Sequence, residues 1–168
     1  MSIALMCAII CCFGRKAPLN YILLLGFTMC ETYMVGGLTA QYTGKVVILA
    51  GLSTALVVIA LTVYAMKTNV PIEVFAAMSW VICLAMLPIA IIGFVIQLPI
   101  LHTVYCVLGV LLYSLYLIID TMYICGGKSL TGNNIQCSMD DYIIGALMLY
   151  LDIVMLFIYI LRLFGNKD

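Results

Sequence analysis

The sequence predicts an all-α membrane protein, a polytopic helical bundle with its last helix at the centre. Of the 168 residues, 67% are hydrophobic and only 8% are charged, whereas a soluble domain is about half apolar and about a quarter charged. The apolar residues also gather into runs of about 17 to 25 residues, the length that crosses the hydrocarbon core of a bilayer. Composition and run length together indicate that this chain is surrounded by lipid.

Five runs are long enough for a full span, and turn-forming residues such as Pro71, Pro99 and Gly126 mark the breaks between them. The predicted spans are Leu19 to Leu38, Val46 to Met66, Val74 to Ile96, Ile100 to Cys125 and Tyr142 to Phe164. A sixth run, Met1 to Phe13, covers only about 20 Å at about 1.5 Å per residue. We expect it to form a short N-terminal hydrophobic helix, and we expect residues 1–168 to form a single domain.

Charge and cysteine usage exclude several classes of function. Seven basic and seven acidic residues cancel, so the chain offers neither a basic surface for nucleic acid nor an acidic tail. Most of the eight cysteines lie within apolar runs, where a free thiol behaves as a small hydrophobe, and no Cys/His spacing indicates zinc. We therefore expect no cofactor and no nucleic-acid partner, which leaves the lipid bilayer, small ions and other membrane proteins.

The basic residues give a weak orientation signal. Alternate crossing of the membrane would place Lys45, Arg162 and Lys167 on one side, and the remaining four basic residues, Arg15, Lys16, Lys67 and Lys128, on the other. Arg15-Lys16 and Lys67 lie in short connections, where the positive-inside rule is most reliable. The side that carries Arg15 is therefore predicted to be cytoplasmic.

Three carboxylic acids, Glu31, Asp120 and Asp152, lie within predicted spans. A charge at mid-bilayer costs about 2.5 to 3.5 kcal/mol on insertion scales, so such residues usually face the interior of a bundle and serve a pathway or a relay. The alternative is that each acid is protonated and hydrogen-bonds a neighbouring helix. The functional interpretation is favoured for all three.

Polar side chains share a helical face with each aspartate. Steps of three or four residues give two stripes: Tyr105, Gly109, Tyr113, Tyr116 and Tyr123 with Asp120, and Tyr142, Gly145 and Tyr159 with Asp152. Packing faces and interfacial tyrosine anchors would produce the same stripes. The tyrosines alone therefore do not define a pathway.

The two aspartates lie at compatible depths in the membrane. Counted from the loop that joins their helices, Asp120 is about 8 Å deep and Asp152 about 15 Å deep at about 1.5 Å per residue. Tilt and uncertain helix ends cover the difference, so the two carboxyl groups are able to meet. Glu31, about 18 Å below Leu19 on the same count, would extend a line of oxygen ligands deeper into the bundle.

Two carboxylates in contact do not easily both ionise, because desolvation and mutual repulsion favour the protonated form, so the pair shares a proton. A hard divalent cation such as calcium prefers several carboxylate and carbonyl oxygens and would reverse this. An arginine would also hold the pair ionised, and Arg15 is on the side from which it could reach. The sequence therefore predicts that Asp120 and Asp152 form one coupled pair that holds a shared proton or a hard cation, with Arg15 as the candidate side chain to keep the pair ionised.

Three stretches carry a resemblance to a known family: "RKAPLNYILLLGFTMCETYMVG", "LHTVYCVLGVLLYSLYLIIDTMYI" and "DDYIIGALMLYLDIVMLFIYILRLFG". They resemble the transmembrane Bax inhibitor motif family, particularly its Lifeguard branch, over nearly the whole chain after Gly14. The resemblance implies a pH-sensitive calcium leak in the endoplasmic reticulum, the Golgi or another endomembrane, and a role in restraining cell death. An aspartate pair senses pH in bacterial relatives and corresponds to Asp120 and Asp152, and Glu31 falls where several members have an acid.

This chain also differs from the family that it resembles. Its members have seven helices, so this chain is expected to lack the first one and to be truncated at its N-terminus. The arginine that locks the aspartate pair belongs to the second family helix, which corresponds to the run Met1 to Phe13 and makes Arg15 the candidate. Met122 replaces the glutamine that is common after the aspartate-threonine pair.

Two other functions compete with a channel. Intramembrane aspartyl proteases also place two aspartates on adjacent helices, but they require a Gly-x-Gly-Asp motif and a Pro-Ala-Leu motif, and this sequence contains neither. The stronger alternative is a membrane protein that conducts nothing and binds other membrane or cell-death regulatory proteins. We expect a calcium leak and no enzymatic activity.

If Arg15 locks the aspartate pair, Arg15→Ala should raise calcium efflux from loaded liposomes, because the cation that holds the pair is lost. Arg15→Lys should restore the parent's efflux only in part, since an ammonium group cannot make the two-pronged contact of a guanidinium. Unchanged efflux in both variants would mean that Arg15 does not lock the pair and serves only as a signal for the orientation of the chain in the membrane.

Overall fold

The computed structural model describes residues 19–96, 98–128, 134–135 and 142–165. Its elements are α1 (Leu19–Thr39), α2 (Gly44–Lys67), α3 (Ile72–Ile96), α4 (Pro99–Cys125), β1 (Gly127–Lys128), β2 (Asn134–Ile135) and α5 (Tyr142–Phe164). Each helix begins and ends within two residues of a predicted span. The run Met1 to Phe13 and Arg15 lie outside the described residues.

Membrane-spanning helices account for most of the described chain. The helices α2, α3 and α4, and Ile144–Phe164 within α5, are long and apolar enough to cross a membrane. The predicted class, an all-helical membrane protein, is therefore confirmed, while the number of spans in the whole chain stays a prediction. The only strands among the described residues are β1 and β2, an antiparallel pair in the loop before α5.

Local chemistry explains where α4 begins and ends. Leu98 is extended and Pro99 follows as the first helical residue, a position where the missing N–H of proline costs nothing. At the other end Gly126 adopts φ 85° and its N–H donates to the carbonyl oxygen of Met122. A left-handed glycine is the usual end of a helix, and here it turns the chain into β1.

The bundle is centred on α4 and α5, which pack against each other as an antiparallel pair. The helix α3 packs on α4, α2 packs on both central helices, and α1 packs on α5. Within the membrane-spanning windows, 39% of the residues are buried in α5 and 28% in α4, against 11% in α2 and in α3. Among these four helices α5 is therefore the most enclosed, and polar groups on it are the best shielded from lipid.

Lipid-facing surfaces are apolar, as a bilayer requires. On α3, Trp80 is 68% exposed and Phe94 is 85% exposed. In water such a surface would be a liability, but lipid tails are as apolar as these side chains and impose no cost. The exposed hydrophobic residues therefore mark the outside of the bundle.

One helix, α1, is attached to the bundle mainly at a single level. Phe27 is 1% exposed and packs with the equally buried Leu147 of α5. Its ring also meets that of Tyr150 edge to face, with centroids 6.3 Å apart. Further along α1, a cavity separates the helix from α4 and α5.

Close approach of α4 and α5 depends on Gly109. A Cβ atom at this position would overlap the ring of Tyr159, so only glycine leaves room for that ring. Tyr159 is 9% exposed, and its ring stacks on Tyr113 with centroids 5.5 Å apart. Gly109 therefore fixes the position of the tyrosines between the two helices.

We expect Gly109→Ala to lower the free energy of unfolding by about 1 to 3 kcal/mol, because the added methyl group overpacks the contact with Tyr159. Gly51→Ala in α2 is the matched control, since no atom lies within 4 Å of the added Cβ, and it should be neutral or slightly stabilising. Unfolding in detergent measures both. Equal stability of the two variants would show that the Tyr159 ring moves aside without cost.

Candidate functional site

The structure brings Asp120 and Asp152 together between α4 and α5. Asp152 is 7% exposed, and Asp120 is half-buried. Their carboxyl groups are close enough for each to act on the other. This is the contact that the depths counted along the sequence allowed, since they placed the two carboxyl groups where they are able to meet.

Small residues on both sides of the aspartate pair allow the two helices to come close. Gly109 of α4 receives the ring of Tyr159, and Gly145 of α5 lies against Ile124, whose Cγ1 would be 3.2 Å from an added Cβ. Asp120 lies between positions 109 and 124, and Asp152 lies between positions 145 and 159. The carboxyl groups consequently meet in the part of the interface that these contacts enclose.

One carboxyl oxygen of the aspartate pair is buried without a hydrogen bond to offset the loss of solvent. The Oδ2 atom of Asp152 is buried and has no hydrogen-bond partner among the described residues. An unpartnered buried oxygen is costly in a medium of low dielectric constant, and more so when it carries charge. A proton, a cation or water at this oxygen would remove the cost.

A cavity of about 570 Å³ lies beside the pair, between α1, α4 and α5. Its polar lining consists of Glu31, Tyr113, Tyr116, Asp152, Tyr159 and Arg162. Two of the three predicted acids, Glu31 and Asp152, therefore face one space, from α1 and from α5. Asp120 is not part of this lining and meets Asp152 from the side of α4.

Tyrosine rings form one wall of the cavity. Tyr113 stacks on Tyr159 at an interplanar angle of 29°, and its ring is edge to face with Tyr116 at 5.9 Å. Tyr123, the last member of the predicted stripe, is 39% exposed and lies outside this lining, as do Tyr105 and Asp120.

Arg162 is the polar residue of the cavity that sequence reasoning did not include. It lies in the last turn of α5 and is near enough to Tyr159 and Cys106 for its charge to act on both. Continuing the stripe from Asp152 through Met155 and Tyr159 by steps of three and four reaches Arg162. The helical spacing therefore pointed to Arg162, but in the sequence this residue was used only to predict the orientation of the chain in the membrane.

The two aspartates do not by themselves make a complete calcium site. Among the described residues, no group of three or more His, Cys, Asp or Glu side chains lies close enough together to hold a metal ion. Calcium takes about six to eight oxygen ligands, more than two carboxyl groups supply. An ion at Asp120 and Asp152 would keep water or take oxygens from other groups.

These features define the class of the protein. Two helices long and apolar enough to span a bilayer, α4 and α5, border together with α1 a cavity whose walls carry two acids and an arginine. Ionisable groups in such a place usually serve an ion or proton pathway. The molecule is a polytopic helical membrane protein with ionisable side chains on the wall of a cavity between its helices.

Comparison with known proteins agrees with the resemblance seen in the sequence. The model of the family described as "Inhibitor of apoptosis-promoting Bax1" matches residues 1–168, and the chain belongs to that family. It is similar to protein lifeguard 3 of Mus musculus, at 33% identity over 167 residues, with 94% of this chain and 52% of the relative covered. The human protein lifeguard 3 is 32% identical over 167 residues, with 94% and 51% covered.

A bacterial relative shows how widely the sequence pattern extends. An uncharacterised protein of Campylobacter jejuni is 29% identical over 154 residues, which cover 89% of this chain and 62% of that protein. The chain spans about half the length of the lifeguard relatives that it matches. The activities of whole lifeguard proteins are therefore proposals when carried over to this chain.

The contact between Asp120 and Asp152 should be measurable as a coupling energy. In a double-mutant cycle, Asp120→Asn and Asp152→Asn should be non-additive in the free energy of unfolding by about 0.5 to 3 kcal/mol, as is usual for residues in contact. Asp152→Asn combined with Lys67→Gln, at the exposed end of α2, is the control cycle and should be additive. Additivity in both cycles would mean that the carboxyl groups do not interact in the folded protein.

Proposed function

We propose that the chain forms a pH-sensitive calcium leak in an intracellular membrane and that the Asp120–Asp152 pair gates it. The observation that carries the proposal is the position of Asp152: buried, beside a second carboxyl group, on the wall of a cavity inside the membrane. Such a site responds to protons and to cations through the same two side chains.

The gating argument follows from the cost of charge in this place. When the pair holds one shared proton, it carries a single negative charge, and the repulsion and desolvation that a second buried carboxylate would add are avoided. When the proton leaves, the two carboxyl groups repel each other and attract a cation. Proton loss therefore changes both the electrostatic field in the cavity and the force between α4 and α5.

Other groups around the pair modify this response. Glu31 and Arg162 line the same cavity from α1 and from the end of α5, and the hydroxyl-bearing rings of Tyr113 and Tyr116 face it from α4. From α3, Cys83 lies near both of these tyrosines. The cavity therefore contains one cationic side chain and two acids, which suits the transit of a cation at a low rate.

Calcium is the proposed ion because carboxylate oxygens are hard ligands. Glu31 and Asp152 offer such oxygens at two positions of one cavity, and Asp120 adds a third beside Asp152. A divalent cation gains more from this field than a monovalent one. We propose no cofactor, and calcium is the permeant or transiently bound ion.

The proposed biological setting rests on the family. The family's description names inhibition of apoptosis-promoting Bax1, and two of the relatives are called protein lifeguard 3. We propose on this basis a cell-death-suppressing role in the endoplasmic reticulum, the Golgi or another endomembrane. Membrane or cell-death regulatory proteins are the partners to be sought.

An enzymatic role is not part of the proposal. An aspartyl protease needs a water molecule and a peptide bond between its two aspartates, together with the motifs that hold the substrate. Asp120 follows Leu117-Ile118-Ile119 in this sequence, and both Leu117 and Ile118 are buried in the core. The surroundings of Asp120 in α4 are those of a packed helix.

Calcium efflux from liposomes that contain the purified protein should change between about pH 6 and 8, although an isolated aspartate titrates near 4. Asp120→Asn and Asp152→Asn should each flatten this response, because one carboxyl group alone has no partner with which to share a proton. The double variant should add little to either single variant, since the pair acts as a unit.

Glu73→Gln is the matched control, because it also converts an acid to its amide but lies in the first turn of α3, outside the cavity. It should keep the parent's pH profile. If both aspartate variants also keep that profile, the acids are structural hydrogen-bonding groups. A parent protein that releases no calcium at any pH would favour the non-conducting interaction protein.

A further inference from the structure

A second cavity lies at the end of the bundle where α1 and α5 end and α4 begins. It has a volume of about 370 Å³, and its polar lining includes Gln41, His102 and Thr103. All three of these residues are exposed, so this space is open to the membrane surface. The loop between α4 and α5 is at the opposite end of the bundle.

The two cavities share part of their walls. Leu38 of α1 and Arg162 of α5 line both the cavity beside Asp152 and the second cavity. Both side chains are half-buried. An ion that leaves the neighbourhood of Asp152 towards this end of the bundle would therefore pass between Leu38 and Arg162.

The packing beside Arg162 is rigid on the side of α4. Tyr159, one turn earlier on α5, is 9% exposed and is held between Gly109 and the ring of Tyr113. Tyr105 lies on its other side, with ring centroids 6.0 Å apart. These ring contacts occupy the α4 side of Arg162, and the space that the two cavities share lies between Leu38 of α1 and Arg162 of α5.

We propose that Leu38 and Arg162 form the constriction of the permeation route and that the charge of Arg162 sets a barrier against cations there. This inference rests on the proposed leak. A guanidinium at a narrow point between two water-accessible spaces repels cations, as fixed positive charges do in selective pores. Glu31 faces the first cavity from α1 and is the acid placed to offset that charge.

The barrier and the aspartate pair lie at different heights along α5. Arg162 lies ten residues after Asp152 in α5, which corresponds to about 15 Å along a helix. The aspartate pair and the constriction are thus separate points of one route. A proton-sensitive site would control the field inside the cavity, and a fixed charge would limit the rate at its exit.

The test measures calcium efflux from liposomes for the full chain and for variants at the constriction. Arg162→Gln should raise efflux by about tenfold, the factor that a barrier lower by about 1.4 kcal/mol produces. Arg162→Lys keeps the charge and should remain near the parent. Leu38→Ala widens the passage without changing its charge, so it should raise calcium and chloride efflux alike.

Two controls separate the constriction from general effects. Lys45→Gln removes one positive charge from the start of α2, which lies at the same end of the bundle through the contact of Tyr42 with Gly165. Leu25→Ala shortens a lipid-exposed leucine of α1. Both should leave efflux unchanged, and the ratio of calcium to chloride efflux should rise in Arg162→Gln alone.

The outcomes distinguish this inference from the proposed leak itself. If the parent releases calcium and Arg162→Gln behaves like Lys45→Gln, the barrier is absent and the leak stands. If Arg162→Gln releases calcium where the parent does not, the barrier is supported. If neither the parent nor any constriction variant passes calcium or chloride, both proposals are wrong. Thermal unfolding of Arg162→Gln and Arg162→Lys in detergent checks that both fold.

Discussion

The contact between two carboxyl groups inside a bilayer is the constraint on which the rest of the structure depends. Asp152 is buried, Asp120 lies beside it, and no basic side chain among the described residues forms an ion pair with Asp152. Low dielectric surroundings make two negative charges at this distance unfavourable. The pair must therefore hold a proton, attract a cation or receive a partner from elsewhere, and each of these choices is a distinct state of the protein.

The packing of α4 against α5 supports that contact. Glycines at positions 109 and 145 take a tyrosine ring and an isoleucine side chain from the opposite helix, so the helices come close on both sides of the aspartates. This arrangement resembles the general use of small residues in membrane helix packing, where close van der Waals contact replaces the hydrophobic effect. The same contacts that hold the helices together also keep the carboxyl groups from separating into lipid.

The cavity exists because α1 is packed closely at Phe27 and less closely beyond it. Phe27 and Leu147 close one end of the space, and Leu38 and Arg162 lie at the other. Between these levels, side chains of α1, α4 and α5 face a volume that contains both acidic and basic groups. A bundle of this kind combines a rigid pair of helices, which carries the titrating groups, with a helix that borders the route.

The sequence by itself determined the class of the protein, the bounds of the described helices to within two residues, and the fact that Asp120 and Asp152 would be deep in the membrane. These features follow from hydropathy and from a constant rise per residue, both of which are properties of a single helix. Depth along two consecutive helices also sufficed to predict that the two acids could meet, because helices joined by one loop have their adjoining ends on the same side of the membrane. The residues before Leu19, including Arg15, lie outside what the structure describes, so the predicted lock stays a prediction.

Only the tertiary structure decided which side chains share a cavity. It placed Glu31 and Arg162 in the lining of the same cavity as Asp152, and it left Asp120 out of that lining. Periodicity along one helix gives a face, but it does not say which neighbouring helix that face meets or how far apart the two remain. Those quantities depend on side-chain volumes at the crossings, such as the room that Gly109 leaves for Tyr159, and they arise only when all the helices pack together.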